Sequence, residues 1–268
     1  MSEQQLITYI AQPGGHLNGE FRVPGDKSIS HRSIMLGSLS HGTMTINGFL
    51  QGEDSLATLR AFRAMGVQID GPNKDGKVVI QGVGMHGLKK PEQALDLGNS
   101  GTSMRLLTGL LAAQGFTITL SGDHSLSSRP MKRVIEPIIQ MGADIESDSD
   151  ATAPLILHSN DATRLTGIDY TLPMASAQVK SCVLLAGLYA QGTTCVIEPA
   201  PTRDHTERML QGFGYSVIVK KLDDQRSQIC LQGGAELTAC DIDVPSDISS
   251  AAFFMVGASI SEGSDITL

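Results

Sequence analysis

Gly25-Asp-Lys-Ser-Ile-Ser-His-Arg32 decides the fold, because the chain states this stretch three times and begins it a fourth time. Gly98-Asn-Ser-Gly-Thr-Ser-Met-Arg105, Pro173-Met-Ala-Ser-Ala-Gln-Val-Lys180 and Pro245-Ser-Asp-Ile-Ser-Ser-Ala-Ala252 lay over it, their first residues 73, 75 and 72 positions apart. Each is followed by an apolar run, a Gly and a β-branched strand: Thr43-Met-Thr-Ile46, Thr117-Ile-Thr-Leu120, Thr193-Thr-Cys-Val-Ile197 and Asp265-Ile-Thr-Leu268. The first three continue into a second helix that ends at Gly66, Gly142 or Gly214; the fourth is cut at Leu268.

Such self-similarity means that each unit is one supersecondary block, which buries its apolar face only by packing on its copies. The period exceeds that of common solenoids, so the expected architecture is an α/β (α+β) domain of three units rather than an open array. Ser33-Ile-Met-Leu-Gly-Ser-Leu39, Leu106-Leu-Thr-Gly-Leu-Leu-Ala112 and Val183-Leu-Leu-Ala-Gly-Leu188 are apolar nearly all round, as buried helices are. The second helices, such as Ser55–Met65 with Arg60 and Arg63 facing away, should form the outer layer.

Composition narrows little else. The 268 residues, 41% hydrophobic, can bury one large core or two smaller ones. No apolar stretch reaches membrane-spanning length, and MSEQQLITYIAQ lacks the basic and apolar regions of a signal peptide. Cys182, Cys195, Cys230 and Cys240 show neither C-x-x-C pairing nor His partners, so all four are expected to be reduced packing residues of a cytosolic protein. A net charge of −8 argues against a general nucleic-acid binder.

Against that acidic background the repeated helix starts are cationic. The eighth position of the first three units reads Arg32, Arg105 and Lys180, with Lys27 close by. Free N–H groups and the positive dipole end already favour an anion there. Ser28, Ser30, Ser100, Gly101, Thr102, Ser103 and Ser176 are small enough to let a ligand reach the backbone, and Arg129 and Arg203 flank the second helices. The competing reading makes the Ser and Thr residues ordinary N-caps and the Arg residues surface groups. Recurrence at three equivalent places favours the anion site. A P-loop does not fit, because Asp26 stands between Gly25 and Lys27 and the upstream Gly is misplaced; no G-x-G-x-x-G follows a strand. His31, His41, His124 and His205 lack metal-ligand spacing and are assigned only loop hydrogen bonding.

The stretches VPGDKSISHR, LGNSGTSMRL, GDHSLSSRPM, PMASAQVKS, EPAPTRDHTERML and DVPSDISSAAF, in that order along nearly the whole chain, resemble the enolpyruvyl transferases. The likeness is greatest to the branch that acts on shikimate 3-phosphate, and Ala177 resembles the second of its two classes. The resemblance implies two similar domains of three βαβαββ units, with the site in the cleft between them. On that pattern residues 21–242 are one complete domain, and 1–20 with 243–268 are an incomplete part of the second, on the order of 150 residues being absent. The implied reaction moves the enolpyruvyl group of phosphoenolpyruvate to the 5-hydroxyl of shikimate 3-phosphate, and implies neither cofactor nor metal, a cytoplasmic setting, and a monomer when complete.

Two phosphates and two carboxylates must then share one pocket, which needs several fixed cations. By the same resemblance Lys27, Ser28, Arg32, Ser176, Ala177, Gln178 and Arg203 should hold shikimate 3-phosphate. Lys27, Asn99, Gly101, Thr102, Arg129 and Gln178 should face phosphoenolpyruvate. Lys27 is also the candidate catalytic proton-transfer group. The acidic acid/base residues belong to the absent part, and Asp54, Asp123 and Asp204 read as helix-start or loop residues. Glyphosate should occupy the phosphoenolpyruvate pocket, left open by Gly101, while Leu106 stands where the first class carries Pro. Two alternatives remain: a UDP-N-acetylglucosamine enolpyruvyl transferase, which usually has a Cys in the loop that here reads Gly122-Asp-His-Ser125, and a non-catalytic anion-binding module.

Overall fold

A computed structural model describes residues 9, 10, 12, 14–159 and 165–268; most of MSEQQLITYIAQ, with its signal-peptide reading, lies outside them. After a short strand β1 (Asn18–Glu20), the first repeat runs α1 (Lys27–Leu39), β2 (Ser40–Asn47), α2 (Glu53–Ala64), β3 (Gln68–Asp70) and β4 (Val78–Val83). The second runs β5 (Leu95–Asp96), α3 (Gly101–Leu111), β6 (Ile118–Ser121), the short α4 (His124–Ser127), α5 (Lys132–Gln140), β7 (Asp144–Glu146) and β8 (Leu155–His158). The third runs β9 (Asp169–Thr171), α6 (Ala177–Gly187), β10 (Thr193–Glu198), α7 (His205–Gly212), β11 (Val217–Lys221) and β12 (Ser227–Gln232). β13 (Leu237–Thr238), β14 (Ile242–Asp243), α8 (Ile248–Ile260) and β15 (Asp265–Thr267) follow.

The three sheets share one strand order. β5-β6-β8-β7 and β9-β10-β12-β11 each open with a parallel pair, crossed by a buried helix, and close with antiparallel strands. The sheet of the first repeat reads β13-β2-β4-β3, with β14 also on β2. Its opening parallel strand is therefore supplied by residues 237–243, at the far end of the domain. This is the βαβαββ unit three times, with the first unit completed by the last strand.

The apolar runs behave as their patterning requires. α1, α3 and α6 are buried on all sides, and α3 and α6 pack so closely that a Cβ on Gly109 would lie 2.1 Å from the Cys182 carbonyl oxygen. The outer helix α2 buries Ala57, Leu59, Ala61 and Phe62 and leaves Arg60 and Arg63 outside. α2, α5 and α7 end at Met65, Met141 and Phe213, each buried, and the next residues, Gly66, Gly142 and Gly214, have φ of +86°, +102° and +81°. A left-handed residue there lets its N–H reach back to the last turn, which glycine does without a Cβ penalty.

The contacts divide the chain into one unit of Asp26–Pro245 and another made of the residues up to Gly25 with Ser246–Leu268. In the smaller unit β1 pairs in parallel with β15, α8 starts on an Asp247 cap, and Phe21 meets Phe254 edge-on. The cysteine expectation needs correcting. Antiparallel pairing of β10 with β12 sets Cys195 directly opposite Cys230, Cα atoms 4.1 Å apart, and the two form a disulfide. Only Cys182 and Cys240 are free thiols. The pairing follows from strand register, to which residue spacing along the chain is blind.

Candidate anion site at the helix starts

Each inner helix starts on a side-chain cap. Asp26 Oδ1 accepts from Ile29 N at 2.8 Å, Ser100 Oγ from Ser103 N at 3.2 Å, and Ser176 Oγ from Val179 N at 3.4 Å. Ser100 and Ser176 are thus N-caps in fact, as the competing reading had it.

The reading of the eighth-position cations as equivalent members of one anion site is corrected by the same caps. They put the helix starts out of step with the sequence alignment, so Arg32, Arg105 and Lys180 are the sixth, fifth and fourth residues of their helices. At about 100° per residue the three side chains leave on different faces. Lys180 is fully buried, its Nζ 2.9 Å from Glu198 Oε2 and 2.6 Å from Glu207 Oε1, which makes it a neutralised core cation. Arg32 is also buried and donates to Thr206 Oγ1 at 2.7 Å, Ser181 Oγ at 2.7 Å and the Ser28 carbonyl at 3.0 Å. Burial pushes its pKa down to about 10, opposed by the nearby Glu207 and Asp26 charges. Only Arg105 remains half-buried at a helix start.

A different set gathers there. Arg129 donates to the Asn99 carbonyl at 3.3 Å, to the Asn99 side-chain oxygen and to Ser125 Oγ at 3.1 Å. Asn99 Nδ2 in turn donates to both Asp123 oxygens, at 2.8 and 3.0 Å. That bond first, and the Leu126 N–H second, hold the Asp123 carboxyl below its ordinary range. Gln178 accepts from Arg105 at 3.2 Å and donates to Thr102 Oγ1 at 3.2 Å, tying α6 to α3. A Cβ on Gly101 would meet Arg105 Nη1 at 2.9 Å and Arg129 Nη1 at 3.2 Å, so both guanidinium groups crowd this glycine. Burial lowers the Arg105 pKa, and the Arg129 and Arg133 charges lower it further.

A cavity of about 440 Å³ beside this cluster is lined by Arg105, Lys132, Arg133, Glu136, Ser176 and Gln178. Lys132 and Arg133 were not singled out from the sequence, although Arg129-Pro-Met-Lys-Arg133 carries three cations in five residues. The structure therefore brings Asn99, Gly101, Thr102, Arg129 and Gln178 together with Arg105. Lys27 sits on the first turn of α1, 3.1 Å from Asp54 in the first turn of α2. Ser28 and Ala177 are half-buried, their carbonyls accepting from Arg32 and Ser181. Arg203 is exposed between β10 and α7, near enough for its charge to act on Arg32 and His205. His31 is not a loop residue; it is buried within α1. Among the described residues no group of His, Cys, Asp and Glu could hold a metal ion, and no helix is long and apolar enough to cross a membrane.

Three like sheets round buried helices are what the resemblance to the enolpyruvyl transferases implies. The family model for EPSP synthase (3-phosphoshikimate 1-carboxyvinyltransferase) matches residues 11–268. The chain belongs to that family. It is 63% identical over 262 residues to the 3-phosphoshikimate 1-carboxyvinyltransferase of Hydrogenovibrio crunogenus, covering 98% of this chain and 58% of that protein. With the same-named protein of Alkalilimnicola ehrlichii it shares 65% over 262 residues, covering 98% and 57%. A solved EPSP synthase from Acinetobacter baumannii superposes with a TM-score of 0.86 at 58% identity, covering 95% of this chain and 56% of that one. The chain thus spans somewhat over half the length of the relatives it matches.

Proposed function

We propose that this chain carries the first substrate-binding domain of an enzyme that transfers the enolpyruvyl group of phosphoenolpyruvate to the 5-hydroxyl of shikimate 3-phosphate, releasing phosphate. The observation that supports it most is the pair of guanidinium groups of Arg105 and Arg129 held against Gly101 at the start of α3. Two like charges kept this close are stabilised by an anion between them, and a helix start adds its own N–H groups. Phosphoenolpyruvate carries both a phosphate and a carboxylate, and is the fitting occupant. Gln178, which bridges Arg105 and Thr102, is assigned to both substrates. Ser28, Arg32, Ser176, Ala177 and Arg203 are assigned to shikimate 3-phosphate.

In the reaction the hydroxyl gives up its proton as its oxygen bonds to C2 of phosphoenolpyruvate, while C3 takes a proton; the adduct then loses a proton from C3 as the C2–O bond to phosphate breaks and phosphate leaves. Lys27 is assigned proton transfer, and the fixed cations hold the charge that moves onto the departing phosphate. Neither nucleic acid nor membrane is required as a partner, and the setting assigned is cytoplasmic, with a monomeric complete protein. The test is phosphate release from the two substrates by the 268-residue chain, and by the chain extended with the C-terminal remainder that its relatives carry. The extended protein should turn over and the chain alone should not, because nothing then covers the site from water. A folded extended protein that releases no phosphate would overturn the reading.

A further inference from the structure

Helices α1 and α2 are joined by two contacts one turn apart. Lys27 meets Asp54 at the surface, and one turn on His31 Nδ1 lies 2.7 Å from Thr58 Oγ1. Both members of the second pair are fully buried. From Thr58 the line continues to Ser103 Oγ at 2.6 Å and from there to Ser100 Oγ at 2.6 Å, again with both serines fully buried. Ser100 is the cap of α3, and the next residue is Gly101. A polar line through the core thus starts on α1, crosses α2 and ends at the proposed phosphoenolpyruvate site.

Counting protons gives the line a direction. Burial above all pushes the His31 pKa down to about 3, Arg32 and Lys27 adding to this and Asp54 opposing it, so the ring is neutral with one proton. Among the described residues His31 Nε2 has no hydrogen-bond partner. If Nδ1 carried the proton, each hydroxyl would donate towards Ser100, leaving both the Ser100 hydroxyl and Nε2 unsatisfied. If Nε2 carries it, Ser100 donates to Ser103, Ser103 to Thr58 and Thr58 to Nδ1, and only one N–H is left over. A buried polar group without a partner is costly, so the second direction prevails. In that direction the lone pairs of Ser100 Oγ stay free to accept the Ser103 N–H, which is the capping bond itself.

We propose that Thr58 is a positioning residue: through Ser103 it orients the Ser100 cap and so holds the first turn of α3, Gly101 and Thr102, in the form that takes phosphoenolpyruvate. The proposal rests on the functional reading above. It is tested in the extended protein with Thr58→Val, which keeps the shape and removes the hydroxyl. The KM for phosphoenolpyruvate should rise about fivefold to tenfold, the size of one lost internal hydrogen bond, while that for shikimate 3-phosphate stays within about twofold. Thr58→Ser should restore the parent value. Ser103→Ala breaks the line from its other side and should give the same selective rise, which keeps the test open if Thr58→Val fails to fold. Amide exchange at Ser103 and Met104 supplies a readout independent of turnover and should quicken by about tenfold in either disruptive variant. Unchanged exchange, equal effects on both substrates, or no rescue by Ser would overturn the proposal. A parent protein without turnover but with faster exchange in the variants would instead refute the functional reading and leave the positioning role standing.

Discussion

Lys180→Met removes one charge from a site shut off from solvent by burial. The Lys180 ammonium is fully buried between Glu198 and Glu207, whose side chains are 8% and 4% exposed. Thr202 Oγ1 donates to Glu198 Oε2 at 2.7 Å, but Glu207 Oε2 has no other partner among the described residues. Methionine fills nearly the same volume, so packing changes little and electrostatics decides. Two buried carboxylates would be left without the cation between them, with the Arg32 charge acting on Glu207. Breaking a buried pair by deleting one partner costs about 3–5 kcal/mol. At about 2–4 °C per kcal/mol for a domain of this size, the unfolding midpoint should fall by roughly 6–20 °C. Thermal unfolding of the 268-residue chain followed by far-ultraviolet circular dichroism measures this shift, and urea denaturation measures the free energy, with an unchanged slope as the check that the unfolded state is the same. Adding Glu198→Gln and Glu207→Gln to Lys180→Met should recover more than half of the loss, since a neutral site needs no counter-ion. A single-variant cost below about 1 kcal/mol, or a triple variant as unstable as the sum of its parts, would refute the reasoning.

Gly101→Ala should leave stability within about 1 kcal/mol of the parent, because the added methyl meets only the flexible ends of Arg105 and Arg129, at 2.9 and 3.2 Å. In the extended protein it should raise the glyphosate inhibition constant more than the KM for phosphoenolpyruvate; equal inhibition of both proteins would remove Gly101 from the pocket. Arg203→Ala should weaken shikimate 3-phosphate binding by about 1.5–3 kcal/mol, and calorimetry showing unchanged affinity would take Arg203 out of the site. His31 titrates near 3 when folded against an ordinary 6.5, so it contributes stability above pH 6.5 that is lost as pH falls towards 3. His31→Gln should therefore flatten the pH dependence of stability across that window by about one proton, and parallel profiles of the two proteins would contradict the burial of a neutral ring.

The periodicity of the chain carried most of the fold. Buried and outer helices and the glycines that end them follow from residue type at fixed spacing, whereas the full βαβαββ order was implied only by the resemblance to the enolpyruvyl transferases. The origin of the first sheet's opening strand did not, because a pairing between residues 237–243 and β2 is a matter of three-dimensional closure. The resemblance grouped Lys27 with Asn99, Gly101, Thr102, Arg129 and Gln178; the last five lie in one cluster in the structure, while Lys27 pairs with Asp54. Lys180 was misread for a physical reason: sequence alignment counts positions, whereas a side chain's direction counts from the cap, and the caps Asp26, Ser100 and Ser176 fall at different positions of the repeat. The carboxylates that neutralise Lys180 lie 18 and 27 residues downstream, where nothing local marks them as its partners.

Because the last strand of the larger unit completes the first sheet, that unit has no true beginning. Its two ends adjoin, the Asp26 N–H donating to the Pro245 carbonyl at 2.8 Å. Any of the three repeats could therefore stand first in the chain. A circularly permuted gene for the larger unit alone that joins Pro245 to Asp26 through a short linker and opens the chain before β5 would preserve the three sheets of that unit, the strand now borrowed across the whole domain becoming a sequence neighbour of the helix it precedes. The order of the repeats along the gene is in this sense a record of where the chain enters and leaves the ring, rather than a requirement of the ring itself.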